Sequence, residues 1–139
     1  MHYEVSVVAK VPRAKAYSAY TDFESGPKWS VEKTPVMVSR REGNKVYLER
    51  HPGEGDHGVR EMRLYPPERV ESGSETRFTR TKNVIRFEEV PQGTKVTATL
   101  DLEVKGHWSW IMRTKGREGV ESSALEMLNS FAKYVESLH

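Results

Sequence analysis

The segment His51-Pro-Gly-Glu54-Gly-Asp56-His57 is the one local cluster of residues whose types and spacing could do chemistry. Two imidazoles and two carboxylates this close together could bind a divalent metal ion. The segment is rich in glycine, however, and no ligand spacing in it fixes a coordination geometry. A solvated turn is therefore the stronger interpretation, and a place at the rim of a pocket ranks above a metal. We predict no metal site.

Arg50 and Arg60 are the charged residues best placed to meet a ligand. On their predicted strands they alternate in phase with apolar residues, namely Val46, Leu48, Met62 and Leu64. If those residues face inwards, both arginines do too, and a buried guanidinium needs a carboxylate or an anionic ligand group as its partner. The alternative is that both lie at strand ends and reach solvent. A β-bulge would exchange the two faces.

The three tryptophans could shape the rim of a binding site. Trp29 follows the predicted short helices, and Trp108 and Trp110 precede the C-terminal helix. Large aromatic side chains suit adaptable apolar contacts, although ordinary core packing explains each of them equally well. Trp108 and Trp110 cannot share one helix face, so at least one of them is expected to be partly exposed, as at a ligand gate or a protein contact.

Several catalytic classes are excluded by what the sequence lacks. It has no cysteine, which removes disulfides, thiol nucleophiles and thiolate metal sites. No Gly-x-Ser-x-Gly, His-Glu-x-x-His or glycine-rich phosphate loop occurs. We therefore predict no cofactor and assign no catalytic residue.

Length and charge indicate a small domain without nucleic-acid or membrane partners. The 139 residues fit a single domain over residues 1–139. Lysine and arginine number 22 against 20 acidic residues, and this interspersed balance gives no electrostatic footprint for nucleic acid. No apolar run approaches the roughly 20 residues that span a bilayer, and no signal peptide is recognisable. Together with the missing cysteine, these features favour the cytoplasm.

Alternating apolar residues predict a sheet that is covered on one face only. A first strand over Tyr3 to Val11 ends at Pro12, and Arg13 to Tyr20 forms a short helix that Thr21-Asp22 ends or continues into a second one. Glu42-Gly43-Asn44 and Pro91-Gln92-Gly93 mark hairpins. Five further strands are predicted at Thr34–Arg41, Lys45–His51, His57–Tyr65, Asn83–Val90 and Thr94–Val104, and Glu68–Ser72 and Thr76–Thr79 are weaker strand candidates around Gly73.

From about His107 to the end the sequence changes to a period of three and four residues, which predicts a long amphipathic C-terminal helix. Its apolar stripe contains Val120, Ala124, Met127, Leu128, Phe131, Tyr134, Val135 and Leu138. The predicted order is one strand, two short helices, six strands in a meander and this helix. The long helix must cover the apolar face of the sheet. A curved sheet wrapped around a single helix need not fill its interior with side chains, so we expect a cavity.

This element order and several local motifs resemble the START/SRPBCC superfamily, which includes birch-pollen-allergen-like proteins and the polyketide cyclase/dehydrase and lipid-transport group. The resemblance is carried by Glu4-Val5-Ser6-Val7 to Pro12, by 16–24 (AYSAYTDFE) with Lys28-Trp29, by 86–90 (RFEEV) with 93–97 (GTKVT), and by the closing helix. It implies an α+β helix-grip fold with a seven-stranded curved antiparallel sheet. Because this scaffold carries unrelated activities, the resemblance implies no catalytic set.

Three functions fit these observations. The first is the binding of a lipid, isoprenoid or polyketide-like molecule in an internal cavity, as a carrier or a sensor. The second is a cyclase/dehydrase-type enzyme, and the third is a protein-interaction module such as a chaperone or ribosome-associated regulator. For the first, the predicted ligand-binding residues are Trp29, Val38, Leu48, Arg50, Arg60, Met62, Leu64, Phe87, Leu100, Trp110, Val120, Ala124 and Leu128.

Overall fold

The computed structural model describes residues 2–29, 36–50, 59–75, 79–104 and 117–138. These residues form one antiparallel sheet and three helical segments, which confirms the predicted helix-grip architecture. The elements are β1 (His2–Ala9), α1 (Arg13–Thr21), a 3₁₀ helix (Phe23–Lys28), β2 (Val36–Glu42), β3 (Lys45–Arg50), β4 (Val59–Tyr65), β5 (Arg69–Glu75), β6 (Thr79–Val90), β7 (Gly93–Val104) and α2 (Arg117–Ser137).

The seven strands lie in the order β1-β7-β6-β5-β4-β3-β2, and every neighbouring pair is antiparallel. Six consecutive strands therefore form the predicted meander, and β1 returns to pair with the last of them. The prediction of two separate weak strands around Gly73 is wrong. Arg69–Glu75 is one strand that continues through this glycine, and Thr79 belongs to β6. A Cβ at Gly73 would lie 3.0 Å from the Thr81 carbonyl oxygen. The close approach of β6 therefore explains why a glycine that was predicted to be the gap between two strands lies inside one strand.

The register brings the inward-facing residues of neighbouring strands into rows across the sheet. One row runs through Tyr3, Leu100, Asn83, Ser72, Met62 and Val46. The next row contains Val5, Ala98, Ile85, Val70 and Leu64. We call the surface formed by these rows the inner face. Most of its side chains are buried, whereas the outer face carries the charged partners of the alternation.

The hairpin between β6 and β7 forms at Pro91-Gln92-Gly93, as predicted, with Val90 paired to Gly93. Gly93 has a φ of +143°, and a Cβ there would lie 2.2 Å from the Ala9 carbonyl oxygen. The buried Thr94 hydroxyl donates a hydrogen bond of 2.8 Å to the carbonyl of Val11. This turn therefore fixes the chain between β1 and α1 against the end of the sheet.

The α2 helix buries the stripe that its sequence period predicts. Leu128, Phe131 and Val135 are fully buried and Ala124 is buried, while Met127 and Tyr134 are half-buried. The helix packs mainly against β1, with smaller contacts to α1 and β7. None of the described helices combines the length and the apolar character needed to cross a membrane.

Polar contacts anchor the C-terminal half of α2. The Glu136 carboxylate accepts a hydrogen bond of 2.7 Å from the main-chain N–H of Lys10. The Ser130 hydroxyl donates to the carbonyl of Trp29, and the Lys15 ammonium donates to the carbonyl of Leu138. These bonds hold this half of the helix against the segment that carries α1 and the 3₁₀ helix.

Candidate functional site

Six aromatic rings gather where α1, the 3₁₀ helix, β6 and α2 meet. Tyr20 lies between four of them, with ring centroids 6.3 Å from Phe23, 5.9 Å from Trp29, 5.7 Å from Phe87 and 5.6 Å from Phe131. We call this group the aromatic cluster; its members are Tyr17, Tyr20, Phe23, Trp29, Phe87 and Phe131. Most of its ring pairs meet edge to face, the arrangement that aromatic quadrupoles favour.

Two polar atoms of the aromatic cluster are buried without a hydrogen-bond partner in the described part of the chain: the Tyr17 hydroxyl and the Trp29 indole nitrogen. Tyr17 is 6% exposed and Trp29 is 8% exposed. Burial raises the pKa of Tyr17, and the nearby backbone of Tyr65 opposes that rise without forming a hydrogen bond of normal geometry. Because buried polar groups are nearly always paired, these two atoms require an explanation.

Apolar residues on the inner face of β2, β3 and β4 are covered unevenly. Val46 and Met62 are buried, whereas Val38, Leu48 and Leu64 are only half-buried although they pack against the same core. These strands lie at the side of the sheet away from β1, where α2 packs. We call Val38, Leu48 and Leu64 the inner patch.

A short polar strip lies on the inner face, within the row that runs from Tyr3 to Val46. Asn83 and Ser72 are cross-strand neighbours on β6 and β5, and Thr81 lies two residues before Asn83. Ser72 is buried, and Asn83 and Thr81 are half-buried. Amide and hydroxyl groups on an otherwise apolar surface are typical of the polar anchors in ligand pockets.

Seven of the predicted ligand-binding residues belong to one continuous core. Trp29, Met62, Phe87 and Leu128 are buried there, and the three inner-patch residues pack against it. Leu100 and Ala124 lie instead in a second cluster with Tyr3, whose pKa is raised by burial and, to a smaller extent, by Glu121. The structure thus brings most of the predicted residues together and separates two of them.

The remaining predicted features lie outside the described residues. These are Trp108, Trp110 and the His51–His57 segment, and of Arg50, Arg60 and Val120 only the backbone is described. In the backbone register, Arg60 lies opposite Leu48 and Arg50 lies opposite Val36. A register shift between Val38 and Arg40 indicates a bulge in β2, while β3 and β4 pair without one.

Tyr17 and Tyr20 were missed as site residues, although a signal for them was present. Their spacing of three within Arg13–Thr21 places both on one side of a helix turn. Phe131 was recognised only as part of the apolar stripe. The unpaired hydroxyl of Tyr17 could not be foreseen, because it depends on which main-chain groups surround it in three dimensions.

A cleft of about 320 Å³ between α1, β5 and β6 is lined by both cations and anions. Its lining includes Arg13, Arg69 and Arg86 together with Glu68 and Glu89. Arg69 is already engaged, since its Nε donates to Glu71 over 2.8 Å and its guanidinium lies 4.0 Å from the ring centroid of Tyr65. Arg13 approaches Glu89 at 3.7 Å. Cations that already have carboxylate partners are poor sites for an anionic ligand.

The helix-grip sheet and its covering helix define a START/SRPBCC-type protein. Within this superfamily the chain belongs to the family described as Activator of Hsp90 ATPase homolog 1-like protein, whose model matches residues 10–136. A comparison with curated proteins gives no match.

Solved structures share this fold at low sequence identity. TTHA0849 from Thermus thermophilus is 18% identical with a TM-score of 0.80, and the match covers 97% of each chain. The Zhui aromatase/cyclase from Streptomyces sp. R1128 is 15% identical with a TM-score of 0.81, covering 98% of this chain and 93% of that one. Ara h 8.0201 is 14% identical with a TM-score of 0.68, covering 99% of both chains. At such identities the likeness shows the fold alone.

Proposed function

We propose that this protein binds an apolar small molecule between the inner face of its sheet and α2, as a carrier or a sensor. The observation that carries the proposal is the inner patch. Val38, Leu48 and Leu64 pack against the core, yet each of them remains partly exposed. Covering such surface releases roughly 25 cal/mol per Å² of apolar area, so a hydrophobic molecule of matching shape would be stabilised there. A lipid, isoprenoid or polyketide-like compound fits this description.

Native mass spectrometry of freshly purified protein tests this function directly. We expect a species heavier than the chain alone, which loses the added mass under denaturing conditions and releases an apolar compound. Adding that compound back should raise the melting temperature in proportion to the logarithm of its concentration above Kd. A preparation that carries no such compound, and that no apolar probe stabilises, would contradict the proposal.

Two variants distinguish ligand binding at the inner patch from binding at the outer surface. Leu48→Gln places an amide in the inner patch and should weaken the binding of apolar probes by about tenfold, because burying an unpaired amide is unfavourable. Val8→Gln is the control, since Val8 lies on β1 and is 45% exposed. Equal affinities of the two variants would place the probe outside the inner face.

Ring closure of a polyketide-like chain is the second candidate. It is supported by the fold shared with the Zhui aromatase/cyclase and by the buried phenol of Tyr17, which can act as a neutral proton donor. Incubation with a linear poly-β-carbonyl compound should then yield an aromatic product that absorbs in the near ultraviolet. No product above the uncatalysed background would remove this candidate.

A chaperone regulator is the third candidate, and its support is the family description. Its test is the ATPase rate of purified Hsp90 with and without this protein, and an unchanged rate would remove it. The proposed location for all three candidates is the cytoplasm, and none of them requires a nucleic-acid partner. Cell fractionation checks the location.

A further inference from the structure

The aromatic cluster contains two hydrogen-bond donors for which the described residues supply no acceptor. Tyr17 and Trp29 are both more than nine-tenths buried, and neither the Tyr17 hydroxyl nor the Trp29 Nε1 has a partner there. Nearby hydroxyls are committed elsewhere. Thr21 donates to the carbonyl of Tyr17 over 2.9 Å, and Ser130 donates to the carbonyl of Trp29.

The chemistry of these two groups restricts what could satisfy them. An indole N–H can only donate a hydrogen bond, so its partner must be an acceptor. A phenol can donate or accept, but burial raises the pKa of Tyr17 and keeps its proton in place. Both groups can therefore donate to an oxygen that has lone pairs, while a molecule that offers only N–H donors leaves the indole unpaired.

The surroundings favour a neutral acceptor on an apolar molecule. Tyr17 packs edge to face on Phe87 at 5.4 Å, and Trp29 packs on Phe131 at 5.0 Å. Tyr20 contacts both Phe87 and Trp29, so the rings of Tyr17 and Trp29 belong to one connected cluster. Aromatic walls solvate an apolar body well and an ionised group poorly.

We propose that the ligand carries a neutral carbonyl oxygen at the end that reaches the aromatic cluster, where the Tyr17 hydroxyl and the Trp29 indole N–H donate to it. This inference rests on the proposed function and adds the polarity of the ligand to it. Ketones and esters with an apolar body have the required chemistry, whereas hydrocarbons and protonated amines lack the acceptor. The rival explanation is a bound water molecule at each donor, which would give no preference for a carbonyl.

Two matched fluorescent dyes test the inference: an aminonaphthalene bearing a propionyl group, and the same dye bearing a propyl group. The wild-type protein should bind the propionyl dye about fivefold to tenfold more tightly, the factor that one hydrogen bond contributes. The emission of the bound propionyl dye should shift to the red relative to its emission in a dry apolar solvent, because a hydrogen bond to the ketone stabilises its excited state.

Tyr17→Phe removes one donor and keeps the ring. It should lower the affinity for the propionyl dye by about fivefold and leave that for the propyl dye within about twofold. Tyr134→Phe is the control, because Tyr134 lies half-buried on α2 outside the aromatic cluster. Trp29→Phe provides a second test of the loss of preference should Tyr17→Phe fail to fold.

The possible outcomes separate this inference from the proposed function. Equal wild-type affinity for both dyes, or an unchanged preference in Tyr17→Phe, overturns the carbonyl inference and leaves apolar binding intact. Binding of neither dye contradicts both proposals. A propionyl preference that Tyr17→Phe removes and Tyr134→Phe retains supports the inference.

Discussion

Gly93 holds a position that only glycine fills without strain. Its φ of +143° lies in a region that other residues rarely adopt, and an added Cβ would meet the Ala9 carbonyl oxygen at 2.2 Å. The contact is with backbone rather than with a flexible side chain, so it cannot be relieved cheaply. The close approach of Gly93 to Ala9 joins the β6–β7 turn to the end of β1.

Gly93→Ala should therefore lower the free energy of unfolding by about 2 kcal/mol or more. Chemical denaturation monitored by circular dichroism measures the change. Gly26→Ala is the matched control, since no atom lies within 4 Å of a Cβ placed there. A similar loss for both variants would show that the close approach to Ala9 is not the cause.

The Arg69–Glu71 pair on the outer face predicts an acid-sensitive component of stability. The hydrogen bond from Arg69, together with its charge, holds the pKa of Glu71 below its ordinary value. Because the pKa of Glu71 is lower in the folded protein than in the unfolded chain, the ionised carboxylate stabilises the fold at pH values above its pKa in the unfolded chain. This stabilisation is lost as the pH falls through the pKa of Glu71 in the folded protein. Arg69→Gln and Glu71→Gln should each flatten the acid side of the curve of stability against pH. Wild-type dependence in both variants would contradict this.

For single residues, the sequence predicted the face of the sheet on which a side chain lies, but not the groups that the side chain contacts. Alternation placed Leu48, Met62 and Leu64 on one face, and the register agrees. The unpaired groups of Tyr17 and Trp29 were beyond sequence reasoning, because they depend on how α1, the 3₁₀ helix and α2 converge. The chemistry of the candidate site is therefore a tertiary property.

Among the elements, α2 is held by its C-terminal half. Phe131 is fully buried between Tyr20 and Trp29, and Ser130 and Glu136 bond to the segment beneath it. Further towards the N-terminus and on the other side of the helix, Leu125 is 40% exposed. We therefore expect the side chains of the buried stripe to stabilise the fold more than those on the exposed side of α2.

Phe131→Ala should cost about 3–5 kcal/mol of unfolding free energy, the usual range for removing a fully buried aromatic ring. Leu125→Ala should change it by no more than about 0.5 kcal/mol, as for exposed positions away from special contacts. Urea denaturation of the two variants measures both values. A loss of similar size in each would mean that α2 does not pack through the predicted stripe.

The elements were predictable where a regular period runs unbroken. The alternation in β7 and the three–four period in α2 identified both, and the glycine turn identified the β6–β7 hairpin. Strand β5 was not recognised as one strand because Gly73 and its serine neighbours lack apolar alternation. Its continuity comes from pairing with β6, which local sequence does not encode.

For the whole molecule, the relevant feature is the position of α2 relative to the proposed ligand site. The helix lies closest to β1, at one edge of the sheet, while the inner patch lies on β2, β3 and β4 at the other side. The amphipathic period showed that a helix would cover the sheet, but it could not show which strands it would cover. On that side Val38, Leu48 and Leu64 remain partly exposed.

Methyl-resolved NMR of the protein titrated with the propyl-substituted dye tests the central claim most directly. Binding at the inner face predicts shift changes at the methyl groups of Val38, Leu48 and Leu64, with Val8 and Leu125 unchanged. Changes confined to Val8 or Leu125, or no change at saturating dye, would contradict the account.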